Sequence, residues 1–178
     1  MTITIILAII IIVGIALYKY ATIYNLLGHY KTRIEVAENT IDENLRKKFD
    51  TICEINIEIK KECKDKDYLK EYLDLKDKKT SNYEVDRKLT EAMNLIKELQ
   101  NDHKKLNNAN LNKMIKEIKE LDEQLTAAKN FFNKNTSTLN GFIRKTPNNI
   151  VAGIHKFKIK PFFDNKNMQD AVIDDFKL

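Results

Sequence analysis

The stretch MIKEIKELDEQLTAAKNFFNKNTSTLNGF, residues 114–142, decides the fold. Met114, Ile118, Leu121, Leu125, Ala128, Phe132, Asn135, Leu139 and Phe142 recur at alternating spacings of four and three. That is the period of an α-helix that buries one face. Charged and polar side chains fill most positions between them, and Pro147 stops the run.

Working outward, the same period appears twice more. Ile23, Leu27, Tyr30, Ile34, Ala37 and Ile41 form one stripe, which continues through Leu45, Phe49, Ile52, Ile55, Ile59 and Cys63. A further helix carries Val85, Leu89, Ala92, Ile96, Leu99, His103 and Leu106 on its seam. Ser81 and Glu84 stand before it at capping-box spacing. Asn107, Asn108 and Asn110 mark the next turn, with Asn110 the expected N-cap. Four Gly, two Pro and no Trp leave too little turn punctuation for a sandwich or barrel. The sequence therefore predicts an all-α chain. Its three long helices are expected to form an antiparallel up-and-down bundle, and residues 64–76 or 148–155 could add a short fourth.

The beginning of the chain is of another kind. Residues 1–18, MTITIILAIIIIVGIALY, carry no charged side chain. As a helix they rise about 27 Å, close to the ~30 Å hydrocarbon core of a bilayer. Ile3, Leu7, Ile12 and Leu17 are among the side chains expected to face lipid. Tyr18, Tyr20 and Tyr24 follow at the interface position, and Lys19 can extend its ammonium to the headgroups. A cleaved signal peptide would need a basic stretch before the apolar run and a small-residue cleavage site after it. Neither is present. Residues 1–22 therefore read as a single-pass membrane anchor, 23–146 as the bundle, and 147–178 as a tail. Phe157, Ile159, Phe162 and Phe163 make that tail too apolar to hang in water, so it is expected to pack on the bundle. Lys19, Lys31 and Arg33 follow the span, which predicts a short amino end outside and the bulk of the chain in the cytoplasm. Two thiols without a disulfide framework agree with that compartment.

Several local sequences carry a resemblance. Tyr24-Asn25 is followed by Ile41-Asp42-Glu-Asn-Leu45-Arg46-Lys47-Lys48-Phe49-Asp50. Phe132-Asn133, Leu139-Asn140, Thr146-Pro147-Asn-Asn-Ile-Val-Ala152 and Phe157-Lys-Ile-Lys-Pro161-Phe-Phe163 come later. In order and spacing these resemble the LemA family of bacterial membrane proteins, from about Tyr24 to Phe163. Departures are Cys53 at a family proline, Leu139 at a tyrosine and Thr146 at an aromatic. Asp102-His-Lys-Lys-Leu106 stands where the family has Tyr-Pro-Asp-Leu. The resemblance implies a single-span helical-bundle protein and adds no reaction.

The residues themselves offer little chemistry. His29, His103 and His155 lie far apart and fit no metal-binding spacing. His103 could be a ligand or general base; a partly buried, hydrogen-bonded core histidine is the favoured reading. Cys53 and Cys63, ten apart on one helix, point about 80° away from each other and read as small hydrophobes. No Gly-rich phosphate loop exists, and no cofactor is expected. Asp42, Arg46 and Asp50 share a helix face, as do Asn133 and Asn140. These five are candidates for a structural polar network. The net charge of +5 is spread over interleaved acids and bases, so no nucleic-acid partner is expected. The tail is the exception, because five basic residues, Arg144, Lys145, Lys156, Lys158 and Lys160, precede its first acid. Membrane lipid is the expected partner of the anchor. The expected function is a non-catalytic scaffold or adaptor that presents the bundle to protein partners, a second copy of the chain among them. The alternatives are a small-ligand receptor or enzyme using a bundle cavity, and an anionic-lipid binder acting through the basic tail.

Overall fold

The structure is a computed structural model, and it describes residues 1–63, 67–74 and 81–163. Among these residues every regular element is a helix: α1 (Thr2–Glu62), α2 (Lys70–Leu73), α3 (Asn82–Asp102), α4 (Ala109–Arg144) and α5 (Asn148–Ile154). A single 3-10 turn, Lys104–Leu106, stands between α3 and α4. Both segments expected to offer a fourth short helix do so, as α2 and α5.

Contacts divide the chain into two compact units. One is Met1–Val36 with the chain from Phe131 on; the other is Ala37–Asn130. The expected boundaries at 22/23 and 146/147 are thus not where contacts divide the chain. The anchor boundary in particular has no structural mark, because α1 runs unbroken for 61 residues. Its surroundings change instead. Every residue from Met1 to Thr22 is exposed, Ile12 at 65%, whereas Leu27, Ile34, Ala37, Ile41, Leu45, Ile52, Ile55 and Ile59 are buried. The apolar stretch is long enough to cross a membrane, and none of it is buried inside the protein.

In the Ala37–Asn130 unit, interhelical bonds fix the directions of three helices. Asp86 on α3 pairs with Lys129 on α4, and Gln100 Nε2 donates to Asn112 Oδ1 at 3.2 Å, so α3 and α4 are antiparallel. Lys48 on α1 reaches both Asp122 on α4 and Thr90 on α3. In the other unit, Tyr30 stacks on Phe142 with ring centroids 5.7 Å apart, and Arg33 lies 4.9 Å over the Phe131 ring. Rising numbers on α1 again meet falling numbers on α4. Helices α1 and α3 therefore run the same way and α4 runs against both. The link from α1 to α3 is accordingly long, and its residues 67–74 form a leg that touches both α1 and α3. Leu69 in that leg is fully buried. Asp67 ties it to α1: Lys60 Nζ lies 2.6 Å from Asp67 Oδ2, and Asn56 Nδ2 donates to Oδ1 at 3.1 Å. The Lys60 bond chiefly holds the Asp67 carboxyl below its usual range; partial burial opposes this and the Asn56 bond adds to it.

Two turns differ from the sequence reading. Helix α4 is capped by Asn108, whose Oδ1 accepts the Leu111 N–H at 2.8 Å. Asn110 is an exposed residue of the first turn. Leu106 and Leu111 are both fully buried, and bringing both inward starts the helix at Ala109. His103 lies on no seam. Helix α3 ends at Asp102, and His103 leaves it as an exposed, extended residue so that the 3-10 turn can carry Leu106 inward. The Ser81 cap is as expected, with its hydroxyl accepting the Glu84 N–H.

The α4 stripe is buried from Met114 to Leu139 and half-buried at Phe142. Leu125→Asp should therefore destabilise the protein by about 4 kcal/mol or more, since a carboxylate would be stranded among apolar neighbours. Lys119→Asp, on the exposed side, should stay within about 0.5 kcal/mol of the parent. Denaturant unfolding of the full chain followed by circular dichroism compares them, and equal midpoints would mean the buried face is misplaced.

Candidate functional site

Polar groups gather in two places, one in each unit. In the Ala37–Asn130 unit the centre is Lys48, only 1% exposed. It sits seven residues from Ile41 and seven from Ile55, so the helical period carries it into the buried stripe. Its ammonium is met by Asp122 Oδ1 at 2.6 Å and faces Thr90 Oγ1 at 3.4 Å. Asp122 keeps 44% of its side chain exposed, so it reaches in from the rim. Asp86 and Lys129, both largely buried, form a second interhelical pair. Neither pair was singled out in the sequence. The available signal was a lysine at heptad spacing between two isoleucines.

Asp42, Arg46 and Asp50 belong to the same unit but lie at its surface. Arg46 Nε donates to Asp42 Oδ2 at 2.8 Å, with both side chains largely exposed. Asp50 is exposed as well. This is a solvated ladder of small energetic weight. A shallow groove of about 330 Å³ lies between α1 and the start of α4. It is lined by Glu54, Ile57, Glu58, Asn110, Lys113, Met114 and Glu117.

Asn133 and Asn140 sit in the other unit, so the five candidate network residues do not act together. Both asparagines instead hold the returning tail. Asn140 is buried, and its Nδ2 donates to the Lys160 carbonyl at 2.8 Å while its Oδ1 accepts the Lys160 N–H at 3.0 Å. Asn133 Oδ1 accepts the Phe163 N–H at 2.9 Å. The spacing explains the fit. Seven helical residues rise about 10.5 Å, and three extended residues span about 10 Å, so two turns of α4 match Lys160 to Phe163. The tail thus packs on α4 as far as Phe163. The remainder of the expected tail, 164–178, lies outside the described residues.

A Schellman turn launches this tail. The Phe157 N–H reaches the Ala152 carbonyl at 2.9 Å and the Lys156 N–H the Gly153 carbonyl, with Lys156 at φ 56°. His155 and Phe157 are thereby turned toward α1. Tyr20 Oη lies 2.7 Å from His155 Nε2, and the Tyr24 ring is 4.4 Å from His155 and 6.3 Å from Phe157. His29 is exposed beside Tyr30. Cys53 and Cys63 are half-buried and form no disulfide among the described residues. Among the described residues no three His, Cys, Asp or Glu side chains lie close enough together to hold a metal ion.

With this arrangement in view, comparison with known families is decisive. A model of the LemA family matches residues 37–175. The chain belongs to the LemA family. The match begins at Ala37, so the apolar stretch lies outside it and is read from its own chemistry. It covers Lys48, Asp122 and both tail-holding asparagines. No curated protein and no solved structure matches this LemA chain.

Three variants test the geometry. Lys48→Met should cost less than about 1 kcal/mol, because an apolar chain of similar length replaces a buried charge. Asp122→Ala should cost about 3 kcal/mol, because it leaves the ammonium buried and unpaired. Denaturant midpoints read both, and the reverse order would show that Lys48 reaches water. Asn140→Ala removes two bonds to the Lys160 backbone and should cost about 1–3 kcal/mol. Limited trypsin digestion should then cut after Lys158 several times faster than in the parent.

Proposed function

We propose that this LemA-family protein is a single-pass membrane scaffold, with residues 1–22 in the bilayer and its other helices in the cytoplasm, where they meet protein partners. One observation carries the reading. On a single unbroken helix, a run of apolar side chains stays exposed until Tyr18, and the stripe beyond it is buried. Exposed isoleucine and leucine in that density are costly in water and satisfied in hydrocarbon.

Lys19, Lys31 and Arg33 after the span support a cytoplasmic placement of the helices beyond it. So do two cysteines that form no disulfide among the described residues. A non-catalytic role is supported by what the polar side chains do. Lys48, Asp122, Asp86 and Lys129 bond helix to helix, and Asn133 and Asn140 bond the tail. The outward faces carry ion pairs one turn apart, among them Lys31–Glu35, Lys47–Glu43, Arg87–Glu91 and Lys116–Glu120. Such faces suit polar, exchangeable contacts with other proteins rather than a permanent apolar interface.

Orientation is tested by labelling. Cys53 and Cys63 are replaced by Ala, and Lys119→Cys supplies an exposed thiol. A membrane-impermeant maleimide should leave the protein unlabelled in intact cells with a permeabilised outer envelope. It should label the protein within minutes once the inner membrane is opened. Rapid labelling of intact cells would put the helices on the opposite side and exclude cytoplasmic partners.

A further inference from the structure

We infer that helix α5 and the basic segments flanking it form a seat for the anionic headgroup layer of the membrane that holds the anchor. The inference rests on the anchor reading above and adds a second, separate lipid contact.

The first observation is position. The apolar run ends at Tyr18, and Tyr20 and Tyr24 lie about 3 and 9 Å further along the helix axis. Those levels fall at and just beyond the headgroup layer, which adds about 5–7 Å to each side of the hydrocarbon. His155, the residue after α5, is bonded to Tyr20 and packed on Tyr24. The C-terminal end of α5 is therefore held at headgroup depth by contacts within one compact unit.

The second observation is what α5 exposes. Val151 and Ala152 are buried, whereas Ile150 is 59% and Ile154 60% exposed. Four residues apart, these two share a face. A soluble surface has no use for two neighbouring isoleucines, but an interfacial helix seats such a face at the acyl boundary.

The third observation is charge. From Arg144 to Lys160 the chain carries five basic residues and no acid. Lys145, Lys156 and Lys158 are exposed on either side of α5. Apolar side chains flanked by lysines match an anionic bilayer surface, and each lysine near that surface adds attraction. The pairing of Tyr20 with His155 makes the seat continuous with the anchor, so lipid is already at hand.

Spin labels test this on the full chain in the Cys53→Ala, Cys63→Ala background. Single thiols are placed by Ile150→Cys, Ile154→Cys, Ile12→Cys and Lys119→Cys. Each protein is reconstituted into bilayers of phosphatidylcholine with phosphatidylglycerol. Collision with a water-soluble nickel chelate should be about fivefold lower at 150 and 154 than at 119, and lower still at 12. Adding Lys145→Gln, Lys156→Gln and Lys158→Gln, or removing phosphatidylglycerol, should raise collision at 154 about twofold toward the value at 119 and leave 12 unchanged. If 150 and 154 match 119 while 12 is protected, the seat is refuted and the anchor stands. If 12 matches 119, the anchor reading itself fails and the seat with it. Protection indifferent to lipid charge and to the three lysines overturns the anionic part of the proposal. Protection that fades as protein is diluted in lipid assigns the face to a second copy and overturns it too.

Discussion

Two helices of 61 and 36 residues each carry an apolar stripe that must leave water, and that constraint organises the rest of the chain. In α1 the stripe begins only where the all-round apolar run ends. A helix apolar on every face has no preferred side, so it cannot choose a neighbour within the protein. Beyond Ile23 the apolar face narrows, and the burial of Leu27, Ile34, Ala37 and Ile41 follows at once. One backbone geometry thus continues from an exposed apolar run into a buried stripe, and the side-chain pattern alone marks the change. Cys53 supplies a backbone N–H, and α1 continues through it without a break.

The direction of α4 against both α1 and α3 is a consequence of connection lengths. A short turn after Asp102 makes α3 and α4 neighbours that run in opposite senses. Between Glu62 and Asn82 the chain has enough residues to return along the bundle before α3 begins, at up to about 3.3 Å per residue when extended. Asp67 and Leu69 secure that return by two unlike means, an ion pair to Lys60 and a fully buried side chain. The periodicity of the long helices was plain in the sequence because it is a local property repeated over many turns. The placement of residues 67–74 was not, since its anchoring residues are single and their partners lie elsewhere.

The same difference separates the polar residues that were legible from those that were not. Asn133 and Asn140 stood out as a same-face pair, but their partners are backbone groups of the tail, which side-chain spacing does not reveal. Asp42, Arg46 and Asp50 stood out for the same geometric reason, yet their face is the solvated one. Lys48 does not stand out, because a lysine is expected outside. The helical period, continued one step too far, puts His103 on a seam. The stripe does not end by losing its period; it ends because Leu106 is better buried from a 3-10 turn.

Lys48 also bears on how one register is chosen. Apolar stripes built from Ile and Leu would tolerate a slip of α4 by one heptad, since the face it presents would be much the same. The ion pairs do not tolerate it. A slip in one direction would bring Lys129 to the place of Asp122 and set two ammonium groups together in a buried position. A slip in the other would bring Asp122 to the place of Lys129, opposite the largely buried carboxylate of Asp86, and would leave Lys48 facing Ile115. Each direction therefore creates either a like-charge pair or an unpaired buried charge, at a cost of several kcal/mol. The two pairs add little net stability over an apolar core, but they make the neighbouring registers expensive. That assigns the charges a structural task, and the Lys48 ammonium, committed to register, is withdrawn from solvent and from any passing ligand. What the helices leave for other molecules is then their outer faces, the groove beside Glu54 and Glu58, and the isoleucine and lysine surface beside Tyr20.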